Sequence, residues 1–477
     1  MKAKKFIPLV GTLAAALPQL MSAQQAEKPN ILLILVDDMG YKDTGFTGSD
    51  FYETPVIDSL ANRAMRFTNA YACAGNSAPS RACLISGQYT PRHGIFAVWS
   101  TERGDKEQMR LIPHPNAPHE RLPITNYTLA DAMKGAGYTT AMVGKWHLGN
   151  GKGYVPEDRG FDVAHPDKSP DKKEFARTND PKNIFKEVGH MCDFMEQSVK
   201  SGKPFFGYLP FHAIHQAWQA RQETLEYFQN KPKGNIHTNA LLAGTIKNMD
   251  EGVGILMRKI RDLGIADNTV IIFTSDNGGL PGSPQTPLRS YKGTFYEGGV
   301  RVPFFIHYPG KIKPGDNHTP IANIDIYPTC LEISGRSKPE GKLLDGKSLV
   351  PVLYGKAKTL DRPALFWHFP GYLDKPYPQS RESTYFRQRP SSMIRKGDWK
   401  LILYYEEWLL DGGKDKLDTN NAVELFNLIN DLSETRNVAN THKAKRDELL
   451  ADLLRWIDET NAPLPEIPDR ERSKRGK

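Results

Sequence analysis

Two continuous apolar segments of this chain each run into a pair of side chains that carry oxygen. Residues 31–36 are followed by two aspartates, and residues 269–274 are followed, after one serine, by Asp276 and Asn277. An apolar run without polar alternation is typical of a strand covered on both faces, as in a parallel sheet. The carboxyl ends of parallel strands meet at one edge of the sheet, where α/β folds bind ligands, so we expect both polar pairs there.

Other segments of the chain alternate between strand and helix patterns. Three more apolar runs of strand length lie at residues 139–143, 205–209 and 302–307. Segments with helical periodicity lie between the strands, at residues 55–66, 128–135 and 241–263. This alternation predicts an α/β fold in which helices sandwich a mixed, mostly parallel sheet.

The pattern changes in the last quarter of the chain. Short strand-like segments with turn signals occupy residues 392–405 and 424–428. The last helical segment is amphipathic, with Leu449, Leu450 and Leu453 on one face. We therefore expect a smaller C-terminal subdomain of antiparallel strands and one helix.

The first 23 residues have the order of a cleaved export signal. Lys2, Lys4 and Lys5 precede an apolar stretch that ends in small residues, and no later segment reaches the roughly 20 apolar residues that span a bilayer. The sequence predicts a periplasmic or extracellular protein without a transmembrane segment. Its predicted parts are a signal peptide (1–23), a main α/β domain (24–360) and a C-terminal α+β subdomain with a basic tail (361–477).

The net charge of +8 does not indicate a nucleic-acid partner. Much of the positive excess lies in the export signal and in the tail at residues 469–477, and no basic stripe with interleaved aromatic residues occurs between them. A small positive excess around one pocket would still suit an anionic substrate.

The paired polar residues after the two apolar runs offer only oxygen ligands. Asp37, Asp38, Asp276 and Asn277 supply three carboxylates and one amide, a set that suits Ca²⁺ or Mg²⁺ better than zinc. For either pair alone, a turn or a helix cap is the simpler explanation. Because both pairs follow buried strands, we favour a metal site.

A serine motif, Ser77-Ala-Pro79-Ser-Arg81, precedes an apolar segment. Pro79 suits the first turn of a helix, which places Ser77 just before the helix N-terminus. Backbone N–H groups and the helix dipole favour an anionic oxygen there, and Arg81, one turn later, can reach the same oxygen. Taken alone, Ser77 is explained most simply as an N-cap.

Basic residues follow several of the predicted strands. Lys145 and His147 follow one strand and would project the same way if that strand continued, His212 and His215 follow another, and Lys292 lies in a glycine-flanked loop. Each alone is an ordinary polar residue. Together with the arginine of the serine motif, they could bind a tetrahedral oxyanion and move protons during its transfer.

The ordered set of motifs resembles the formylglycine-dependent type I sulfatases, the arylsulfatase-like family of the alkaline phosphatase superfamily. The resemblance covers nearly the whole chain after the export signal. The matching motifs are, in order, Asp37-Asp38, Ser77-Ala-Pro-Ser-Arg81, Gly144-Lys-Trp-His147, His212-Ala-Ile-His215, Ser275-Asp-Asn-Gly278, Lys292-Gly-Thr-Phe-Tyr-Glu-Gly-Gly299, Asp325-Ile-Tyr-Pro-Thr329 and Glu424-Leu-Phe-Asn-Leu428.

The resemblance implies a sulfuric ester hydrolase with a modified nucleophile. Ser77 would be oxidised to formylglycine (3-oxoalanine), whose hydrate attacks sulfur and can later expel sulfate through its second hydroxyl. One Ca²⁺ would be held by the side chains of Asp37, Asp38, Ser77, Asp276 and Asn277.

The resemblance also implies roles for the basic residues. Arg81 and His147 would stabilise the hydrate, with His147 as the base that triggers sulfate release. Lys145 and Lys292 would neutralise the sulfate oxygens, and His215 would protonate the leaving alcohol.

This chain departs from the family pattern in two places. The widespread form of the motif starts with Cys, whereas Ser77 stands here, and neither Cys73 nor Cys83 has Pro and Arg in register. The serine form resembles substrates of an anaerobic radical-SAM sulfatase-maturating enzyme, which would be a partner of this chain. The second departure is Ile214, where relatives usually have Pro.

Two other functions remain open at this point. Phosphodiester and phosphonate monoester hydrolases of the same superfamily use a similar nucleophile and metal site. A non-catalytic protein that binds sulfated glycans would result if Ser77 stayed unmodified.

A sulfated carbohydrate is the expected substrate, which would give the protein a role in glycan degradation. Export of the chain and two long polar excursions, at residues 102–123 and 372–390, favour a glycan-binding rim. Aromatic residues were expected at that rim, namely Trp99, Trp218, Trp367, Phe369 and Tyr372.

Overall fold

The computed structural model describes residues 28–166, 175–176, 178–377 and 384–471. The predicted export signal and the end of the basic tail lie outside the described residues. Among those described, no helix is both long enough and apolar enough to cross a membrane.

A central sheet of eight strands forms the larger part of the fold, in the order β11-β2-β10-β9-β1-β7-β4-β5. Its strands are β1 (Asn30–Val36), β2 (Met65–Phe67), β4 (Thr139–Val143), β5 (Val163–His165), β7 (Phe205–Pro210), β9 (Thr269–Ser275), β10 (Phe304–His307) and β11 (Gly315–Asn317). The five strands from β9 to β5 are parallel, while β10 is antiparallel to both of its neighbours. The mixed, mostly parallel sheet predicted from the sequence is confirmed.

Helices cover both faces of this sheet. They are α1 (Pro55–Ala61), α2 (Ser77–Ser86), α3 (Thr90–His93), α4 (Leu129–Gly135), α5 (Ile184–Lys200), α6 (Gln222–Asn230), α7 (Ala240–Asp262), α8 (Glu297–Val300), α9 (Ile326–Ile333), α10 (Val350–Leu353), α11 (Tyr405–Leu410) and α12 (Lys443–Thr460). Four short strands pair in two small ribbons, β3 (Ala70–Tyr71) with β12 (Ile321–Ala322) and β6 (Phe175–Ala176) with β8 (Gln219–Ala220).

The alternation of side chains along β1 builds a separate core on each face of the sheet. Leu33 and Leu35 pack in a cluster with residues of α2, α4 and α9. Leu32 and Ile34 point the other way, into a cluster with α1, α5 and α7. Every residue of β1 is buried, as the absence of polar alternation predicts.

A second sheet lies in the C-terminal part and has the antiparallel order β13-β14-β15-β16. Its strands are β13 (Leu365–Phe369), β14 (Ser391–Lys396), β15 (Trp399–Tyr404) and β16 (Val423–Asn427). Helix α12 packs on it through Leu449, Leu450 and Leu453. The antiparallel sheet with one helix was predicted; the boundary at residue 360 stays a prediction.

A buried ion cluster ties this second sheet to the loop that precedes β10. Lys400 Nζ, on β15, lies 3.0 Å from Glu297 Oε1 of α8 and 2.7 Å from Glu434 Oε1, and all three side chains are buried. Tyr71 Oη donates to the second oxygen of Glu297 at 2.8 Å. Burial next to Glu297 raises the pKa of Glu434 to about 7 although Lys400 opposes the shift.

Two local predictions differ from the structure. The helix predicted over residues 55–66 ends at Ala61, because Met65 and Arg66 pair with β10 in the sheet. Helix α5 was not predicted, although its buried Ile184, Val188 and Met191 recur at helical spacing.

Candidate active site

Three carboxylates converge at the carboxyl ends of β1 and β9. Asp37 and Asp38 follow β1, Asp276 follows β9, and one oxygen from each lies within 4.8 Å of the others. The two strands are parallel neighbours, with Val36 opposite Ser275. The convergence expected from the two apolar runs is therefore confirmed.

The loop after β1 is held in one conformation by hydrogen bonds from β9. Asp38 takes a left-handed backbone conformation, with φ of 65°. Its N–H donates to Asp276 Oδ1 at 3.1 Å, and its Oδ1 accepts a hydrogen bond from Asn277 Nδ2 at 2.8 Å. Its other oxygen, Oδ2, is buried and accepts no hydrogen bond from any described residue.

This arrangement fits a hard cation. A buried carboxylate oxygen without a donor is costly unless a positive charge satisfies it. The oxygen-only donors of Asp37, Asp38, Asp276 and Asn277 are those that Ca²⁺ prefers.

Ser77 is the first residue of α2, and its side chain points into the carboxylate cluster. Its Oγ lies 3.2 Å from Asp37 Oδ1 and 3.3 Å from Asn277 Oδ1. The N-cap position belongs to Asn76, so the interpretation of Ser77 as the cap is wrong. Ser77 is buried, with 1% of its surface exposed.

Arg81 supports the cluster from the next turn of α2. Its Nε donates to Asp276 Oδ2 at 2.9 Å, and its Nη1 donates to the carbonyl oxygen of Lys145 at 2.7 Å. The sequence predicts that Arg81 reaches the side-chain oxygen of residue 77. Among the described residues, Arg81 instead donates hydrogen bonds to Asp276 and to the backbone of Lys145. Burial opposes the charge of Arg81, yet Asp276 and Asp37 raise its pKa.

Two lysines approach the cluster from opposite sides. Lys145 Nζ lies 2.6 Å from Asp37 Oδ2, and Lys292 Nζ lies 2.6 Å from Asp38 Oδ1 and 3.5 Å from Ser77 Oγ. Burial alone would raise the pKa of Asp37, but the neighbouring cations, Lys145 first, hold it well below its usual range. The pKa of Asp38 is lowered as well, chiefly by Lys292 against the effect of burial. Burial and the neighbouring Asp37 instead raise the pKa of Asp276.

His147 lies in a loop and not on an extension of β4. The strand ends at Val143, and Gly144 turns the chain with φ of 115°, where a Cβ would come 2.2 Å from the carbonyl oxygen of Pro210. The condition for Lys145 and His147 to project together along a strand is thus not met. Both residues nevertheless line the same cleft.

The imidazole of His147 is neutral at physiological pH. Burial lowers its pKa to about 4, although Glu120 opposes the shift. Its Nε2 lies 3.3 Å from Glu120 Oε2, while its Nδ1 is buried and has no hydrogen-bond partner among the described residues. With the proton on Nε2, Nδ1 is free to accept another.

The two histidines after β7 differ in their surroundings. His212 is buried, its Nδ1 lies 2.6 Å from Glu187 Oε1, and burial lowers its pKa to about 3. His215 is 42% exposed in its side chain, and its Nε2 lies 3.7 Å from Asp38 Oδ2. Both histidines line the cleft, and His215, the more exposed of the two, is the one that lies beside Asp38.

A cleft of about 1090 Å³ opens above Ser77. Its floor carries Ser77, Lys145, His147, His215 and Lys292. Its walls carry residues that the sequence motifs did not single out, namely Arg103, Lys182, Tyr377 and Arg387. Arg103, Tyr377 and Arg387 lie in the two polar excursions, which is the signal that could have indicated them.

The prediction of an aromatic rim is correct for one residue. Trp99 lines the cleft and is 79% exposed. Trp218, Trp367, Phe369 and Tyr372 are buried, so the prediction is wrong for them. Trp367, for example, donates from its indole nitrogen to the carbonyl oxygen of Ala72 in the core.

Two family models match this chain. One is described as Sulfatase and matches residues 29–335. The other is described as N-sulphoglucosamine sulphohydrolase, C-terminal, and matches residues 291–461.

Curated proteins and solved structures agree with these matches. A protein named Sulfatase from Formosa agariphila is 33% identical, over 96% of this chain and 95% of its own. Human Arylsulfatase A is 31% identical, over 73% of this chain and 72% of its own. The structure of Ps i-CgsB in complex with k-i-k-neocarrahexaose is similar with a TM-score of 0.72 and 26% identity, covering 94% of this chain and 96% of that one.

Proposed function

The chain belongs to the sulfatase family of the alkaline phosphatase superfamily, and from this premise we propose that it removes sulfate from a sulfated carbohydrate with a nucleophile made from Ser77 and one bound Ca²⁺. One observation carries the proposal. Ser77 Oγ lies between Asp37 Oδ1 (3.2 Å), Asn277 Oδ1 (3.3 Å) and Lys292 Nζ (3.5 Å), at the floor of an open cleft.

The proposed calcium ligands are the side chains of Asp37, Asp38, Asp276, Asn277 and residue 77. The buried Asp38 Oδ2 without a donor supports this assignment. When bound, Ca²⁺ would offset the negative charge of the cluster and polarise the sulfate group.

We propose that Ser77 becomes formylglycine through an anaerobic radical-SAM maturase. The chemical need supports this step, because a sulfate ester of ordinary serine has no easy route for releasing sulfate, whereas a hydrated aldehyde carries a second hydroxyl. The helix N-terminus at residue 77 favours a developing negative charge on that oxygen.

The remaining residues would position the sulfate and move protons. Lys145 and Lys292 would neutralise sulfate oxygens, and both point toward the cluster from the cleft. His147, neutral and with Nδ1 unpartnered among the described residues, would accept the proton that sulfate release requires. His215, at the exposed side, would donate a proton to the leaving alcohol.

A carbohydrate substrate is supported by the open cleft and by structural neighbours. One neighbour, with a TM-score of 0.65 and 22% identity over 91% of this chain and 97% of its own, is named as BT4656 in complex with its substrate D-Glucosamine-2-N, 6-O-disulfate. The exposed Trp99 offers a flat surface on which a sugar ring can pack. We propose a periplasmic or extracellular location, in keeping with the export signal in the sequence.

The decisive experiment compares two ester classes. The fold alone is shared with a phosphonate monoester hydrolase of Agrobacterium radiobacter (TM-score 0.63, 18% identity over 91% of this chain and 96% of that one). After coexpression with an anaerobic maturase, we expect kcat/KM for 4-nitrophenyl sulfate to exceed that for bis(4-nitrophenyl) phosphate by more than about tenfold, a difference of about 1.4 kcal/mol. Faster turnover of the phosphodiester would overturn the proposal.

The proposed role of His147 predicts an unusual pH dependence. Because the base must be neutral, activity should be lost as the pH falls through its pKa of about 4, and not through the ordinary histidine range. Glu120 raises this pKa, so Glu120→Gln should move the acidic limb of kcat/KM to lower pH. The profile is measured at saturating CaCl₂. An acidic limb above pH 6 that Glu120→Gln leaves in place would contradict this role.

A further inference from the structure

Arg387 is a cation in the wall of the cleft that no carboxylate neutralises among the described residues. Its Nε is buried and has no hydrogen-bond partner in that part of the chain. The other arginine of this wall, Arg103, differs, since its Nε lies 3.0 Å from Asp374 Oδ1. Burial lowers the pKa of Arg387, although the nearby Tyr377 and Asp374 oppose the shift.

The side chain of Arg387 is fixed next to the lysine that approaches Ser77. A Cβ built on Gly293 would lie 2.7 Å from Arg387 Cδ, so the arginine stem passes directly over the residue that follows Lys292. Gly293 also has φ of 93°, a conformation that favours glycine.

Tyr377 holds the charged end of this side chain. The guanidinium carbon of Arg387 lies 3.8 Å from the centre of the Tyr377 ring. That ring meets Tyr291, the residue before Lys292, edge to face at 5.9 Å. Stacking of this kind orders a guanidinium before a ligand arrives.

The positive side chains at the cleft floor, unlike Arg387, are paired with carboxylates. Three cations lie near Ser77, and each is within 3.0 Å of a carboxylate oxygen: Arg81, Lys145 and Lys292. Lys182, on the wall, donates to the carbonyl oxygen of Ala217. Arg387 thus lines the cleft without a carboxylate partner among the described residues, close to the place where the sulfate ester would bind.

Resting on the proposed function of this cleft, we propose that Arg387, stacked on Tyr377, binds a second oxyanion of the substrate, a carboxylate or a further sulfate. The preferred substrate would then be a saccharide with at least two negative charges, of which only the sulfate above Ser77 is removed. Guanidinium groups bind carboxylate and sulfate oxygens through paired hydrogen bonds, which a neutral hydroxyl cannot match.

Kinetics on a set of small substrates tests this subsite. The set is 4-nitrophenyl sulfate, a monosulfated neutral sugar, the same sugar with a second sulfate, and a monosulfated disaccharide that contains a uronate. We expect Arg387→Gln to lower kcat/KM for a doubly charged sugar about 10- to 100-fold more than it lowers kcat/KM for the aryl sulfate. Arg387→Lys keeps the positive charge but loses the paired, planar N–H donors of the guanidinium. Its relative loss of kcat/KM should be smaller than that of Arg387→Gln.

The two arms distinguish the source of the oxyanion. A selective loss on the disulfated sugar identifies a second sulfate, and a selective loss on the uronate identifies a carboxylate. An equal relative loss on the monosulfated neutral sugar would overturn the proposal. Arg66→Gln is the matched control, because Arg66 lies on β2 outside the cleft and pairs with Asp316; it should leave all ratios unchanged.

Calorimetry separates this inference from the proposed function. Two proteins with unmodified Ser77 are compared in CaCl₂, the chain with Arg387 and the Arg387→Gln variant. Each is titrated with the disulfated sugar, the monosulfated sugar and the uronate disaccharide. If no sulfate ester is turned over but charge-selective binding depends on Arg387, the proposed function fails and the subsite stands. If sulfate esters are turned over and Arg387→Gln changes neither selectivity, the subsite alone fails.

Discussion

Replacing Ser77 by alanine should abolish sulfate ester hydrolysis and leave the protein folded. We expect kcat to fall by about 10⁶-fold, the size of loss that follows removal of a nucleophile in other hydrolases. The free energy of unfolding should change by no more than about 1 kcal/mol, since the contacts of the hydroxyl are long, at 3.2 and 3.3 Å to its acceptors and 3.5 Å to Lys292 Nζ. Turnover of an aryl sulfate and thermal unfolding are the two measurements.

Mass spectrometry connects this result to the maturation of Ser77. The peptide that contains residue 77 should lose the mass of two hydrogens when the maturase is coexpressed, and turnover should rise with the modified fraction. Ser86→Ala is the control, because Ser86 is equally buried on the same helix but lies outside the motif. Full activity of a chain whose Ser77 is unmodified would contradict the proposed nucleophile. A Ser77 that stays unmodified even with the maturase present, in a chain that binds sulfated glycans without turnover, would favour the binding-protein alternative.

Removing calcium should have the second large effect. Dialysis against a chelator should lower turnover by more than about 10³-fold, because the three carboxylates would then face the sulfate without the double positive charge of the ion. Readdition of CaCl₂ should restore turnover. It should also raise the free energy of unfolding by about 2.7 kcal/mol at a hundredfold excess over Kd.

Two variants show whether the carboxylate cluster is the calcium site. Asp38→Asn should weaken the calcium dependence of both turnover and thermal unfolding, since it alters the oxygen without a donor. Asp250→Asn is the matched control, because Asp250 is also buried but accepts hydrogen bonds from the N–H groups of Val56 and Ile57. Undiminished turnover after exhaustive chelation, or a calcium dependence that survives Asp38→Asn, would contradict the assignment.

The sequence was sufficient to predict the carboxylate cluster, because its position depends on where two strands end. Unbroken apolar runs specify buried parallel strands, and such strands bring the residues after them to one edge. Asp37 and Asp276 are 239 positions apart in the chain, yet their meeting follows from this rule alone.

Contacts set by loops could not be predicted in the same way. Gly144 has a positive φ where its backbone packs closely against Pro210, and His147 has a positive φ in the loop that follows; no local sequence pattern reveals either. The partners of Arg81 depend likewise on where the neighbouring strand ends. Aromatic residues such as Trp367 favour both cores and rims, so composition could not assign them to either place.

The buried cluster of Lys400, Glu297 and Glu434 constrains the design of chimeras between this chain and its relatives. Glu297 begins α8, five positions after Lys292, and its carboxylate pairs with Arg301 close by in the chain and with Lys400 on β15 of the second sheet. A graft of that sheet from another protein would therefore have to bring a lysine at position 400, since a buried carboxylate without its cation is strongly destabilising. The proposed Arg387 subsite would be transferred together with this ion cluster, because Arg387 and Lys400 belong to the same transplanted segment.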